Sequence, residues 1–130
     1  MIVLNASAMV EALVGAEPSA ELLLALEGEI HAPHLLDGEV LSVLRGLERG
    51  SVLEPERAQQ ALDDCWSFTV IRHDLEPLAG RIWQLRHQFT SYDAAYVALA
   101  EALDAPLVTC DRKLATAGHR AQVLLMAARP

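Results

Sequence analysis

The sequence predicts a single α/β/α sandwich, built on a central, mostly parallel sheet of four to five strands with helices on both faces. Three observations predict it. Short apolar runs without alternation, such as Ile2-Val3-Leu4, suit central strands covered on both sides. These runs alternate along the chain with stretches of helical period, and that order implies parallel strands joined by right-handed crossovers. The 130 residues are 52% hydrophobic, enough for one buried core and too few for two, so residues 1–130 are read as one domain.

Residues 2–4 form the first strand. Ser7 is placed to cap a helix through Val10 and Leu13 that Gly15 ends. Pro18 and Ser19 open a second helix, with Leu22, Leu23 and Leu26 on one face, and Gly28 closes it. Residues 29–32 are a second strand stopped by Pro33. A strong helix follows from Leu35 to Arg49, where Leu36, Val40, Val43, Leu44 and Leu47 recur at helical spacing and Arg45 faces away. Glu39 lies on the shoulder of that stripe, an unfavourable place for a charge without a partner. Residues 54–66 are helical, with Pro55 tolerated in the first turn. Residues 68–71 give a third strand, and Asp74 is expected to cap a helix through Leu78, Ile82 and Leu85. Thr90 and Ser91 cap the next helix, residues 92–103, apolar nearly all round and so expected in the core. Residues 106–109 are the fourth strand, followed at once by Asp111, and residues 122–126 are a candidate fifth.

Composition limits function. The net charge of -8 is the wrong sign for holding nucleic acid by a general field, so any such contact needs a local basic surface or bound cations. Nine of the ten cations are arginines, scattered in sequence. Cys65 and Cys110 fit neither a disulfide framework nor a zinc site and read as small hydrophobes. The chain begins on an apolar strand with no basic leader or membrane-length run, so a cytoplasmic protein is expected. His31, His34, His73, His87 and His119 lack ligand spacing and are assigned no chemistry. Trp66, Trp83, Phe68 and Phe89 are expected in the core or at a dimer interface rather than as base-stacking platforms.

In a parallel sheet functional groups gather beyond the carboxyl ends of the strands. Asn5 ends the first strand and Asp111 follows the fourth, while Glu39 and Asp93 sit in helices able to reach the same rim. Carboxylates sharing a cleft raise one another's pKa. A hard divalent ion, Mg²⁺ or Mn²⁺, relieves the repulsion and carries waters able to attack a phosphodiester. Each residue also has a plain reading: Asp111 as a helix cap, Asp93 and Asp37 as first-turn acids, Glu39 as the buried partner of an arginine, Ser7 and Thr109 as cap and strand-end residues.

The segments IVLNASA (2–8), LLDGEV (35–40), TSYDAAYVALA (90–100) and LVTCDRKL (107–114) resemble the motifs of PIN-domain proteins, most of all the VapC-type toxins of toxin-antitoxin pairs. The resemblance spans the whole chain. It implies a metal-dependent endoribonuclease that acts on RNA with Mg²⁺ or Mn²⁺, forms a homodimer and is inhibited by a small antitoxin. It assigns Glu39, Asp93 and Asp111 to the catalytic and metal-holding set, with Ser7 and Thr109 in support. Asn5 departs from the pattern, because the family carries an aspartate there as a principal metal ligand. An amide oxygen can coordinate Mg²⁺ but brings no charge, so metal affinity and activity are expected to fall. Asn5 is either a natural degenerate site or a near-isosteric replacement that lets a toxic nuclease be produced. Arg86, Arg112 and Lys113 are candidates to position a phosphate chain. Two other functions fit the sequence: a catalytically silent module that keeps the antitoxin partner, and a Mg²⁺-binding phospho-acceptor domain.

Overall fold

The computed structural model describes residues 1–128. Five strands form one sheet: β1 (Ile2–Leu4), β2 (Ile30–Pro33), β3 (Val70–His73), β4 (Leu107–Thr109) and β5 (Val123–Leu125). Their spatial order is β3-β2-β1-β4-β5, and every adjacent pair is parallel. Six α-helices flank the sheet: α1 (Ala6–Val14), α2 (Ala20–Ala25), α3 (Leu35–Arg49), α4 (Pro55–Ser67), α5 (Ala79–Gln84) and α6 (Ser91–Leu103). The architecture is the one the alternating pattern predicts.

All three residues of β1 and all three of β4 are buried. Successive strand side chains point to opposite faces, so both faces of the sheet are covered at its centre. The edge strands β3 and β5 keep half-exposed side chains. Helix α6 lies against β1, β2 and β4, and every residue from Ala94 to Ala100 is buried, as its all-round apolar sequence requires. Helix α3 has the predicted bounds, but its inward face is Leu36, Val40 and Leu44, while Val43 stays 41% exposed.

Several expectations are corrected. Asn5, not Ser7, is the N-cap of α1, because its side chain accepts the Ser7 N–H. Strand β3 begins two residues later than expected, since the Phe68 N–H is used to close α4 on Cys65. Pro33 ends β2 from inside, in register with His73. Asp74 caps nothing: a 3-10 turn (Glu76–Leu78) leads into α5, and Asp74 pairs with His34 instead. Of the aromatics expected in the core or at a dimer interface, Phe89 is buried, while Trp66 and Trp83 lie on the surface of the chain. Leu23 is also exposed, leaving Leu22 and Leu26 as the inward contacts of the second helix. Cys65 is buried, Cys110 is half-buried, and both are free thiols. No helix among the described residues is long and apolar enough to cross a membrane.

Candidate active site

The strand order reverses at β1: the chain steps to β2 and β3 on one side, then crosses to β4 and β5 on the other. Side chains just past the carboxyl ends of β1 and β4 therefore meet at a topological switch point. Asn5 sits there and extends the ladder, its N–H donating to the Val108 carbonyl at 3.0 Å.

The side chain of Asn5 is 5% exposed as part of its residue and anchors a hydrogen-bonded knot. Its Oδ1 accepts from the Ser7 N–H at 3.0 Å, from the Ser7 hydroxyl at 2.6 Å and from the Thr109 hydroxyl at 3.2 Å. A backbone N–H can only donate, so the atom it faces is the amide oxygen. Three donors occupy that oxygen, and the other terminal atom, Nδ2, carries only hydrogens to donate. The amide oxygen expected to serve a cation is thus committed to the fold. Ser7 Oγ also accepts from the Cys110 N–H at 3.0 Å, and Thr109 Oγ1 from the Asp111 N–H at 3.0 Å. The two hydroxyls fasten the end of β1 to the end of β4.

Asp111 caps the short turn Arg112–Ala115, its Oδ1 accepting the Lys113 N–H at 3.1 Å. Its Oδ2 lies 3.3 Å from Lys113 Nζ, and the same ammonium is 3.1 Å from Asp93 Oδ2. Asp93 comes from the first turn of α6, whose N-cap Thr90 accepts the Asp93 N–H. Asp93, then Asp111, raise the proton affinity of Lys113. The Lys113 side chain is 60% exposed, so the ion pairs add little stability. Their significance is geometric: two carboxylates from distant segments converge on one positive charge.

Glu39 reaches the same edge from α3. The buried Tyr96 hydroxyl donates to its Oε1 at 2.7 Å. Burial raises the Glu39 pKa, the Tyr96 hydrogen bond opposes that, the Asp93 charge adds to it and Lys113 subtracts. Glu39 therefore feels both members of the Asp93–Lys113 pair. Burial, then the Glu39 carboxylate, pushes the Tyr96 phenol far above its ordinary range, which keeps it a donor at any working pH.

No three His, Cys, Asp or Glu side chains among the described residues converge closely enough to form a three-ligand metal site. A two-carboxylate set is nevertheless what Mg²⁺ commonly takes, since it retains several waters. Asp93 and Asp111 fit that requirement, with the Lys113 ammonium marking where a cation is attracted. Glu39 stands one step out, held by Tyr96, and the Asn5 oxygen is taken up by Ser7 and Thr109.

The remaining candidates lie elsewhere. The Arg86 guanidinium covers the Trp83 ring at 4.6 Å and donates to the Trp83 carbonyl at 2.8 Å. Arg112 lines a separate hollow with Cys110 and Met126. Asp37, read as a first-turn acid, is one, and it also grips Arg72 through two 2.8 Å hydrogen bonds that tie α3 to β3. The histidines are not inert: buried His31 bridges Glu29 at 2.6 Å and His73 at 2.8 Å. In that contact one of the two facing ring nitrogens donates and the other accepts. Tyr92, unremarked in the sequence, stands 60% exposed beside Asp93.

Fold and cluster together define a class: a parallel α/β fold with two aspartates meeting a lysine at the carboxyl edge of its sheet. Residues 2–119 match the PIN domain model. The chain is 46% identical over 118 residues to ribonuclease VapC1 of Mycobacterium tuberculosis, covering 88% of this chain and 89% of that one. Its fold is similar to that of PAE2754 from Pyrobaculum aerophilum, with a TM-score of 0.71 at 24% identity over 94% of this chain and 81% of that one. It is also similar to a chain of a toxin-antitoxin complex from Klebsiella pneumoniae, with a TM-score of 0.57 at 18% identity over 87% and 88% of the two chains. The chain belongs to the PIN-domain family and, within it, to the VapC group. That membership leaves the phospho-acceptor alternative without support.

Proposed function

We propose that this chain is the toxin of a toxin-antitoxin pair, an endoribonuclease that depends on Mg²⁺ or Mn²⁺ and is weakened by Asn5. The observation that carries the reading is the convergence of Asp93 and Asp111 on one cationic group beside Asn5. The ribonuclease name of its relative supports the substrate class, and the neighbour from a toxin-antitoxin complex agrees with a small antitoxin partner. A homodimer in the cytoplasm belongs to the same reading.

Asp93 and Asp111 are the residues that would hold the metal. A divalent ion there supplies an acidified water and neutralises charge developing on the phosphate. Ser7 and Thr109 fix residue 5 and the ends of β1 and β4, so the two aspartates keep their spacing. Glu39, whose pKa is raised by burial, can hold a proton beside the cleft, with Tyr96 fixing its orientation. Among the described residues, Lys113 is the cation able to meet a phosphate without leaving the site.

The second reading, a silent module that keeps its antitoxin, is favoured by the three donors that already occupy the Asn5 oxygen. A metal-titrated cleavage assay on total RNA separates the two. Asn5→Asp should cut RNA in proportion to bound Mn²⁺ and the parent should cut little. No cleavage by Asn5→Asp, in a preparation that still captures its antitoxin, overturns the nuclease reading for this chain.

A further inference from the structure

We propose that the hollow between α3 and Tyr92 receives an unpaired nucleobase of the RNA, next to the phosphate held at the acidic cluster. The proposal rests on the ribonuclease reading and deepens it. The hollow is open to solvent and measures about 600 Å³, within the range of small-ligand sites. Glu39 lines it and, through Tyr96 and the field of Asp93, belongs to the cluster as well. Whatever fills the hollow therefore lies within one side chain of the cation-attracting pair.

Its chemistry suits a base better than a phosphate. Leu35 and Leu75 give apolar walls, Ser42, Glu39 and the Asp74-paired His34 offer hydrogen-bonding groups, and among the described residues no lysine or arginine lines it. The cation for a phosphate is Lys113, next door between Asp93 and Asp111. Tyr92 is 60% exposed and, among the described residues, has no hydrogen-bond or ring partner. An exposed aromatic face one residue before a metal-site aspartate is a stacking platform, and stacking accepts any base.

The floor is Gly38. It sits inside α3, where glycine weakens a helix relative to alanine. A Cβ added there would meet nothing within 4 Å. Gly46 and Gly80 are equally open, so what Gly38 contributes is a stretch of free space on the wall of this hollow that a larger side chain would fill.

The test measures binding of a short fluorescent single-stranded oligoribonucleotide to the full chain with Mg²⁺, alongside the same oligonucleotide carrying one abasic position. Tyr92→Ala should weaken binding by about tenfold, while Tyr92→Phe stays within roughly twofold of the parent. Gly38→Leu should weaken binding equally with no loss of thermal stability, because its side chain enters open space on a better helix former. Removing the base should cost the parent as much as Tyr92→Ala does and cost Tyr92→Ala nothing further. In the Asn5→Asp background, Tyr92→Ala should raise KM and leave kcat nearly unchanged. Unchanged RNA binding by both Tyr92→Ala and Gly38→Leu overturns the proposal. So does a loss confined to dimer formation or to antitoxin capture, which would assign the hollow to a protein. If Asn5→Asp cuts RNA with a KM indifferent to Tyr92, this inference fails alone. If base binding depends on Tyr92 but nothing is cut, only the nuclease reading fails.

Discussion

Asn5→Asp exchanges Nδ2 for a carboxylate oxygen and leaves the three donors to the other oxygen, from Ser7 N, Ser7 Oγ and Thr109 Oγ1, where they are. The structure thus predicts opposite effects with and without metal. Without metal, a third carboxylate joins Asp93 and Asp111 with only Lys113 to balance them, so the melting temperature should fall below that of the parent. With Mn²⁺ the order should invert. A unit charge about 4 Å from another contributes about 4 kcal/mol at an effective dielectric near 20, and a divalent ion about twice that. The Asp111 side chain is 33% exposed, so solvent removes much of it. A working gain of roughly 2 to 4 kcal/mol corresponds to about 30- to 700-fold in metal affinity. At saturating Mn²⁺ this should appear as an extra rise in melting temperature of roughly 6 to 20 °C over the rise seen in the parent. Calorimetric titration with Mn²⁺ gives the affinity directly, and thermal melts in chelator and in metal give the inversion. Equal metal-induced shifts in the two proteins would refute the reasoning and remove position 5 from the site.

Three further outcomes follow from contacts around the cleft. Glu39 holds its proton more tightly folded than unfolded, so its ionised form costs stability as pH rises above the ordinary carboxyl range, near 4.3. Glu39→Gln should therefore melt higher than the parent at pH 7 in chelator, with the gain vanishing as pH approaches 4, and a lower melt at pH 7 would contradict the burial argument. His73 takes up a proton less readily folded than unfolded, because it is partly desolvated and faces His31 and His34, with Asp74 opposing. Stability should fall as pH drops through about 6.5, and His73→Gln, which keeps a polar partner for His31, should flatten that slope between pH 7.5 and 5.5. Arg72→Met removes the two-point grip on Asp37, whose side chain is 26% exposed. Urea unfolding should register a loss of about 1 to 2 kcal/mol, and no change would mean α3 and β3 are held by packing alone.

Legibility of the fold depended on how local the cause was. Helix α3 was readable to the residue because its inward leucines and valine repeat at 3.6 and Gly50 stops it. Strand β3 was misplaced because Phe68 looks like a strand residue and acts as a helix terminator. The first cap was misassigned because Ser7 and Asn5 are both capping residues, and only the fold shows which oxygen faces which N–H. At the site, Asp111 could be read from its place after a strand, Asp93 from a helix first turn and Glu39 from the shoulder of the α3 stripe, and the resemblance to PIN-domain motifs grouped them. Their couplings were not: Tyr96 meets Glu39 across 57 positions of sequence, and His31 meets His73 across 42. Trp83 and Arg86 show the converse, a local pair that satisfies itself on α5 and its following turn and leaves the cleft to Lys113.

Lys113 is the only lysine in the chain. Apart from the α-amino group, any amine-directed reagent therefore has one target, and that target lies between Asp93 and Asp111. Acylation would erase the positive charge there and leave two carboxylates facing each other. The labelling rate of a single side chain thus becomes a direct gauge of what occupies the cleft, readable by mass without any substrate.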